Sequence, residues 1–380
     1  MRLLIGCGGT GGHIYPAISI AHALKEQFAD VELLFVGAKG GMEMDIVPAA
    51  GYPIAMIDIK GLQRKKNIQN IWLPFLVLKS FYQARKIIKL FKPDVVIGTG
   101  GYACFPTLFA AYSQKIPTLI HEQNGSAGLA NRLLSRLVTK ICTGYPAVVF
   151  PCAQEKIIFT GNPVRPSMYM YMPKKEQAEA LRYFNLSPSK KCLLVVGGSG
   201  GASQLNTTIL SGIDKLHALH IQLLWITGDR YFASMDGAIS SHNRDNFIRC
   251  YPFLTHMEMA YAAADVVIAR AGAISIAELC VTQKPTILVP SPNVVGDHQT
   301  KNSLPLANQG AAILLTDQDC PRLLLPTAIA LLNNIEQQLA LVKQMHTFAL
   351  LHANALNRII EEIFTLAKCN RNDCISQKNL

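Results

Sequence analysis

The sequence predicts an α/β protein made of two doubly wound, parallel-sheet domains. Its 380 residues suffice for two cores at about 100–200 residues per domain. Eight short apolar runs alternate with helix-length segments, the pattern of buried parallel strands joined by right-handed crossovers. After a break rich in Pro, Met and Lys, the alternation starts again near Leu193.

In order, the runs cover residues 3–5, 33–36, 95–97 and 118–120, then 193–196, 223–226, 266–269 and 286–289. Between the halves, Gly161-Asn162-Pro163-Val164-Arg165-Pro166 keeps neither a strand nor a helix period, and its prolines mark a hinge. The domains are therefore expected at residues 1–163 and 164–345. Residues 346–380 are read as a helix, apolar over residues 350–367, that returns to the first domain and ends in a polar tail from Cys369.

Half of the residues are apolar, yet runs such as residues 71–78 fall far short of the roughly 20 residues that a spanning helix needs. Met1-Arg2-Leu3-Leu4-Ile5-Gly6 leads directly into a glycine loop and reads as a strand, not a signal peptide. The ten cysteines form no C-x-x-C pair and read as reduced packing thiols. Lys and Arg outnumber Asp and Glu by 36 to 25, a net charge of +11, which favours a polyanionic or anionic-surface partner.

Open α/β sheets bind ligands beyond the carboxyl ends of their strands. Three glycine loops lie there: Gly6-Cys7-Gly8-Gly9-Thr10-Gly11-Gly12-His13, Gly98-Thr99-Gly100-Gly101-Tyr102 and Gly197-Gly198-Ser199-Gly200-Gly201. Any one of them can be simple turn chemistry. Together, with helix N-termini behind them, they suit a diphosphate or an anionic leaving group. None ends in the Lys-Ser/Thr of a P-loop, and the second run, Leu34-Phe35-Val36-Gly37-Ala38, lacks the acid that a dinucleotide enzyme would use on a ribose. After residues 266–269 comes Arg270-Ala271-Gly272-Ala273-Ile274-Ser275-Ile276-Ala277-Glu278, where Glu278 either grips ribose hydroxyls or only complements the helix dipole.

Taken jointly, these segments, with His121-Glu122-Gln123-Asn124, Gly161-Asn162-Pro163-Val164-Arg165 and Asp297-His298-Gln299-Thr300-Lys301-Asn302, resemble the MurG-type transferases over nearly the whole chain. Those enzymes add N-acetylglucosamine to a lipid-linked muramoyl-pentapeptide. The resemblance implies a GT-B fold, two Rossmann-like doubly wound domains facing an interdomain cleft. The first domain would bind acceptor and membrane, and the second UDP-N-acetylglucosamine. It implies uridine near Leu254, ribose on Glu278, and the diphosphate among Ser199, Ala273, Ile274, Ser275, Ile276 and Ala277. Arg165 and Gln299 or His298 would complete the donor contacts, while Thr10, Gly11, Gly12, Tyr102 and Asn124 would reach the sugar and acceptor. One departure is Gly200, where the family usually carries Gln after the serine.

Displacement at the anomeric carbon needs a base for the attacking hydroxyl. His13, ending the first loop, leads and Glu122 is the rival, whereas His121 reads as structural. Asp317-Gln318-Asp319, the sole D-x-D match, reads as a helix cap. Neither a required metal nor a cofactor is therefore expected.

Nine Lys and Arg, namely Lys60, Arg64, Lys65, Lys66, Lys79, Arg85, Lys86, Lys89 and Lys92, fall between residues 59 and 93 without an acid. Ile71, Trp72, Leu73, Phe75, Leu76, Phe81, Ile87, Ile88 and Leu90 interleave them. This pattern suits an anionic membrane surface, or else a solvated helix packed on the first domain. No nucleic-acid motif is present. The expected place is peripheral, on the cytoplasmic face of the inner membrane. Competing functions are a non-catalytic membrane-docked nucleotide-sugar binder and a nicotinamide oxidoreductase.

Overall fold

The computed structural model describes residues 1–61, 73–170, 175–198, 200–239 and 247–367. Contacts divide the chain into one unit of Met1–Val164 with the segment that begins at Asn354, and a second of Arg165–Ala353. The expected tail from Cys369 lies outside the described residues, as do Ser199, Arg64, Lys65, Lys66, Ile71 and Trp72.

The first unit holds a seven-stranded sheet of β1 (Arg2–Gly6), β2 (Glu32–Ala38), β3 (Ile54–Ile57), β4 (Val95–Gly98), β5 (Thr118–Glu122), β6 (Lys140–Thr143) and β7 (Ile157–Phe159). Its order is β3-β2-β1-β4-β5-β6-β7, and every pairing is parallel. In the second unit, β8 (Cys192–Val196), β9 (Gln222–Ile226), β10 (Ile248–Tyr251), β11 (Val266–Ala269), β12 (Thr286–Leu288) and β13 (Ile313–Leu314) form a parallel sheet in the order β10-β9-β8-β11-β12-β13.

Each of the eight apolar runs falls on a strand. The sequence reading missed β3, β6, β7, β10 and β13, four of which are sheet edges. Edge strands are short and half exposed, so they lack the long apolar run that marks a strand buried on both faces. Both sheets also share one topological feature. The chain builds outward from β1 through β2 to β3, then crosses back to β4 on the other side; it does the same from β8 to β10 and back to β11. The diverging crossovers open a crevice at the carboxyl ends of β1 and β4, and another at those of β8 and β11.

Helix Gly11–Gln27 carries Pro16 in its second turn, where the ring nitrogen forgoes the one bond to the Gly12 carbonyl. It packs Ile14, Ile18 and Leu24 onto Leu3, Ile5, Val95 and Ile97. The C-terminal helix Ala355–Leu366 adds Ile359, Ile360, Ile363 and Phe364 to that core, with the Phe28 and Phe364 ring centroids 4.3 Å apart. Residues 350–367 are thus not one helix. Helix Ile335–His352 packs on helix Ala273–Thr282 of the second unit, and Asn354, at φ 60°, breaks the chain before it joins the first. Asn tolerates the left-handed region better than most residues. The boundary expected at 345/346 falls inside that helix, because its apolar face continues through Phe348.

All eight cysteines among the described residues are free. No described helix is long and apolar enough to cross a membrane.

Candidate active site

In the first unit, the loop after β1 runs into helix Gly11–Gln27 with Thr10 as its extended, exposed N-cap and Gly12 exposed behind buried Gly11. The loop after β4 crosses it so closely that a Cβ on Gly101, at φ 85°, would strike the Gly8 carbonyl. That crossing brings the Thr99 carbonyl to His13. The Nδ1–H of His13 donates to Thr99 O at 3.0 Å and leans on Gln123 Oε1 at 3.4 Å, while the Thr99 hydroxyl donates to His13 O at 2.7 Å. Both neighbours of Nδ1 are acceptors, so Nδ1 carries the proton and the neutral imidazole keeps its lone pair on Nε2.

Gln123 is fixed in turn. Its NH2 donates to Thr99 O at 2.9 Å and to His121 O at 3.1 Å, and meets His121 Nδ1 at 3.2 Å. The Nε2–H of His121 donates to Gly161 O at 3.0 Å. Burial pushes the His121 imidazole down to about 4, so it stays neutral as this relay requires. Asn162 donates to Gln123 O, and Arg358 from the C-terminal helix donates to Thr160 O. The segment read as a hinge is therefore anchored: residues 160–164 are buried.

Glu122, the rival base, is 1% exposed. Its carboxylate accepts from Asn124 N and Nδ2 (both 3.1 Å), Gly128 N (2.9 Å) and Asn131 Nδ2 (2.9 Å). A carboxylate held by four donors cannot accept a substrate proton without giving them up. Its work here is to shape the loop that presents Asn124.

Sequence reasoning missed Glu43. It lies beyond β2, is fully buried, and accepts from Ala38 N at 2.9 Å and Gly9 N at 3.2 Å. This acid props the first glycine loop from beneath, while the Tyr102 ring lies against Gly9. Being sealed, Glu43 offers no surface to a ribose, which removes the remaining feature that an oxidoreductase would need there. The glycines at 37 and 41 were the available signal, since a Cβ on either would hit the Glu43 side chain.

In the second unit, helix Ala273–Thr282 starts after Gly272, an extended N-cap without a side chain, and carries no acid in its first turn. Such a start favours an anion. Asn302 donates to Ala271 O, and Arg270 donates to Val289 O and Pro290 O, tying the loop to β12. Arg270 also pairs with Asp317 at 2.6 Å, and Asp319 accepts from the Thr316 hydroxyl at 2.6 Å. The D-x-D motif is thus engaged within the fold; Asp319 does precede a helical segment, but its side chain does not cap that segment's amides.

Arg165 links Glu278 to the loop that carries Leu254. It donates through Nη1 to Thr255 O, next to half-buried Leu254, and through Nη2 to Glu278 Oε1, each at 3.1 Å. Tyr261, also missed from the sequence, donates its hydroxyl to Glu278 Oε2 at 3.2 Å. Ile274 and Ser275 are partly exposed, whereas Ala273, Ile276 and Ala277 are buried, so the side chains of the last two serve the core. Gln299 accepts from Ser291 N at 2.8 Å, and His298 donates from Nδ1 to Val295 O at 2.9 Å. At Gly200 a Cβ would meet nothing within 4 Å, so packing does not enforce the missing Gln. Ser199 lies outside the described residues.

Residues 3–143 match the glycosyltransferase family 28 N-terminal domain, and residues 192–362 match the family's C-terminal domain. A relative from Parabacteroides distasonis, named UDP-N-acetylglucosamine–N-acetylmuramyl-(pentapeptide) pyrophosphoryl-undecaprenol N-acetylglucosamine transferase, is 46% identical over 95% of this chain and 97% of its own. One of the same name from Porphyromonas gingivalis is 47% identical, covering 96% and 95%. The crystal structure of Acinetobacter baumannii MurG superposes with a TM-score of 0.70 at 28% identity, covering 96% and 99%.

The His121 relay has a pH signature. Its folded-state value of about 4 lies below the ordinary 6.5, so its contribution to stability is present above about pH 6.5 and is lost as pH falls toward 4. The loss should total about 3 kcal/mol. Urea unfolding across that window should show a steeper decline for the native protein than for His121→Asn; parallel declines would contradict the buried neutral imidazole.

Proposed function

The chain belongs to glycosyltransferase family 28 and, within it, to the MurG family, and on that footing we propose how it transfers N-acetylglucosamine. The donor is UDP-N-acetylglucosamine, and the acceptor is the 4-hydroxyl of a polyprenyl-diphosphate-linked N-acetylmuramoyl-pentapeptide. The observation that carries the chemical assignment is the His13 imidazole, fixed through Nδ1 by Thr99 and Gln123 so that Nε2 is the basic atom.

His13 Nε2 takes the proton of the acceptor hydroxyl as its oxygen attacks the anomeric carbon. The bond from that carbon to the diphosphate oxygen breaks, and its electron pair leaves with UDP. A single displacement of this kind inverts the anomeric centre. The amides opening helix Ala273–Thr282 and the Arg165 guanidinium supply the positive field that the departing diphosphate needs. Glu278 accepts the ribose hydroxyls, with uridine at Leu254. Thr10, Gly11, Gly12, Tyr102 and Asn124 form the acceptor side around His13.

Isotopic transfer from labelled UDP-N-acetylglucosamine to a lipid-linked muramoyl-pentapeptide analogue tests this reading. His13→Ala should lower kcat by about 100-fold or more while leaving nucleotide affinity near that of the native chain. Near-normal turnover would remove His13 from the mechanism, and absence of transfer by the native chain would favour a nucleotide-sugar binder.

The lipid-linked acceptor calls for a membrane surface, which helix Leu73–Phe91 fits. Ser80, Ala84 and Ile88 face the unit, and the Phe81 ring lies 5.2 Å from that of Phe109 on helix Cys104–Ser113. The opposite face exposes Phe75, Leu78, Tyr82 and Leu90 among Lys79, Lys86 and Lys89, and Tyr112 adds to the apolar surface. An ordinary solvated face would not expose four large apolar side chains on one helix. Lys79 is paired with Asp58 just ahead of the acid-free stretch, at 2.8 Å. On this reading the chain works peripherally, on the cytoplasmic face of the inner membrane, where such a lipid-linked acceptor would be met.

In vesicle co-sedimentation, binding should rise with anionic lipid and fall with salt. Leu78→Ser with Tyr82→Ser should weaken it by roughly tenfold or more. Transfer to a water-soluble acceptor analogue should be unaffected by the same pair of changes. Binding that ignores lipid charge and salt would contradict the assignment.

A further inference from the structure

We propose that Tyr261 is a positioning residue for the donor nucleotide, its hydroxyl setting the plane of the Glu278 carboxylate so that both carboxylate oxygens meet the vicinal hydroxyls of a ribose. The inference rests on the reading of Glu278 as the ribose acceptor.

Tyr261 lies on helix Met257–Ala263 and is 1% exposed, among the largest fully buried side chains of the chain. A phenylalanine would fill the same space without a hydroxyl to desolvate, and a buried hydroxyl is costly unless it finds a partner. The partner is Glu278 Oε2 at 3.2 Å. Burial, then the nearby Glu278 carboxylate, push the Tyr261 hydroxyl well above its ordinary range, so it remains a donor.

Glu278 is itself 6% exposed. Among the described residues, one oxygen accepts from Arg165 and the other from Tyr261. An ionised carboxylate has about four lone-pair directions, so each oxygen keeps one for a ligand hydroxyl. Two donors arriving at opposite oxygens stop rotation of the carboxylate about its terminal bond. Arg165 also reaches Thr255 O beside Leu254, which ties this orientation to the loop expected to carry uridine. The arrangement therefore recognises two adjacent hydroxyls on the sugar of a nucleoside diphosphate.

The test compares binding of UDP and 2′,3′-dideoxy-UDP by calorimetry on the full chain, together with steady-state transfer. In Tyr261→Phe, which keeps the ring and its packing, UDP affinity should fall by about tenfold, the scale of one hydrogen bond to a charged group. Dideoxy-UDP affinity should stay unchanged, and KM for the donor should rise with little change in kcat. Glu278→Gln serves as the reference. If that change leaves the preference for UDP intact, the ribose reading of Glu278 fails. If Glu278→Gln abolishes the preference but Tyr261→Phe preserves it, the ribose reading stands and the role of Tyr261 is overturned. Equal weakening of both nucleotides by Tyr261→Phe also overturns it, since that is what a merely structural tyrosine would do.

Discussion

The first unit is organised around the crossing of two backbones. The loop after β1 and the loop after β4 pass with no room for a side chain between Gly8 and Gly101. Because they touch, the Thr99 carbonyl reaches the His13 ring, and Gly100 must also lack a Cβ, which would come within 2.7 Å of His13 Nδ1. Glu43 holds the first loop from below through Gly9 N, and Tyr102 closes over it. The position and tautomer of one imidazole thus follow from a backbone crossing, with the side chains of Gln123, Glu43 and Tyr102 packed around it. The backbone part of that support surrenders no side-chain entropy, which helps a short loop hold the ring in one place.

The second unit solves a different problem. Its charged groups Arg165, Glu278, Arg270 and Asp317 are largely withdrawn from water, so pairing rather than close approach fixes them. Arg165 with Glu278 and Arg270 with Asp317 form two ion pairs within one stretch of the fold. Removing one member of a buried pair costs about 3–5 kcal/mol, because the other charge is left uncompensated. Such pairs add little net stability, but they hold carboxylate and guanidinium in one geometry before a ligand arrives. The neutral half suits proton transfer from an acceptor hydroxyl, and the charged half suits a nucleoside diphosphate.

Much of this was legible in the sequence, and the gaps have physical causes. Central strands announced themselves because parallel strands buried on both faces must be apolar throughout. Ile248–Tyr251 did not, since Arg249 interrupts it and bonds instead to Phe184 O and Asn185 O. The glycine loops were visible because their positions after strands follow from topology. Glu43 was not visible, because a ribose-binding acid belongs at the end of β2, whereas the chain folds back to deliver this one five residues later. Glu122 and His121 stood side by side as ionisable residues at a strand end, and only their partners separate a loop-shaping carboxylate from a buried relay imidazole. Tyr261 carried no local signal, since its role depends on Glu278, 17 positions away in the chain.

On these contacts the fold presets the His13 tautomer. Nitrogen-15 spectra of histidine-labelled protein at about pH 8 report which ring nitrogen carries the proton when the imidazole is neutral, and the His13 signal is identified by its loss in His13→Gln. A protonated Nδ1 and a bare, pyridine-type Nε2 are expected. A neutral His13 with its proton on Nε2 would contradict this, because the nitrogen facing Thr99 would then be unable to donate and the outer nitrogen unable to act as a base.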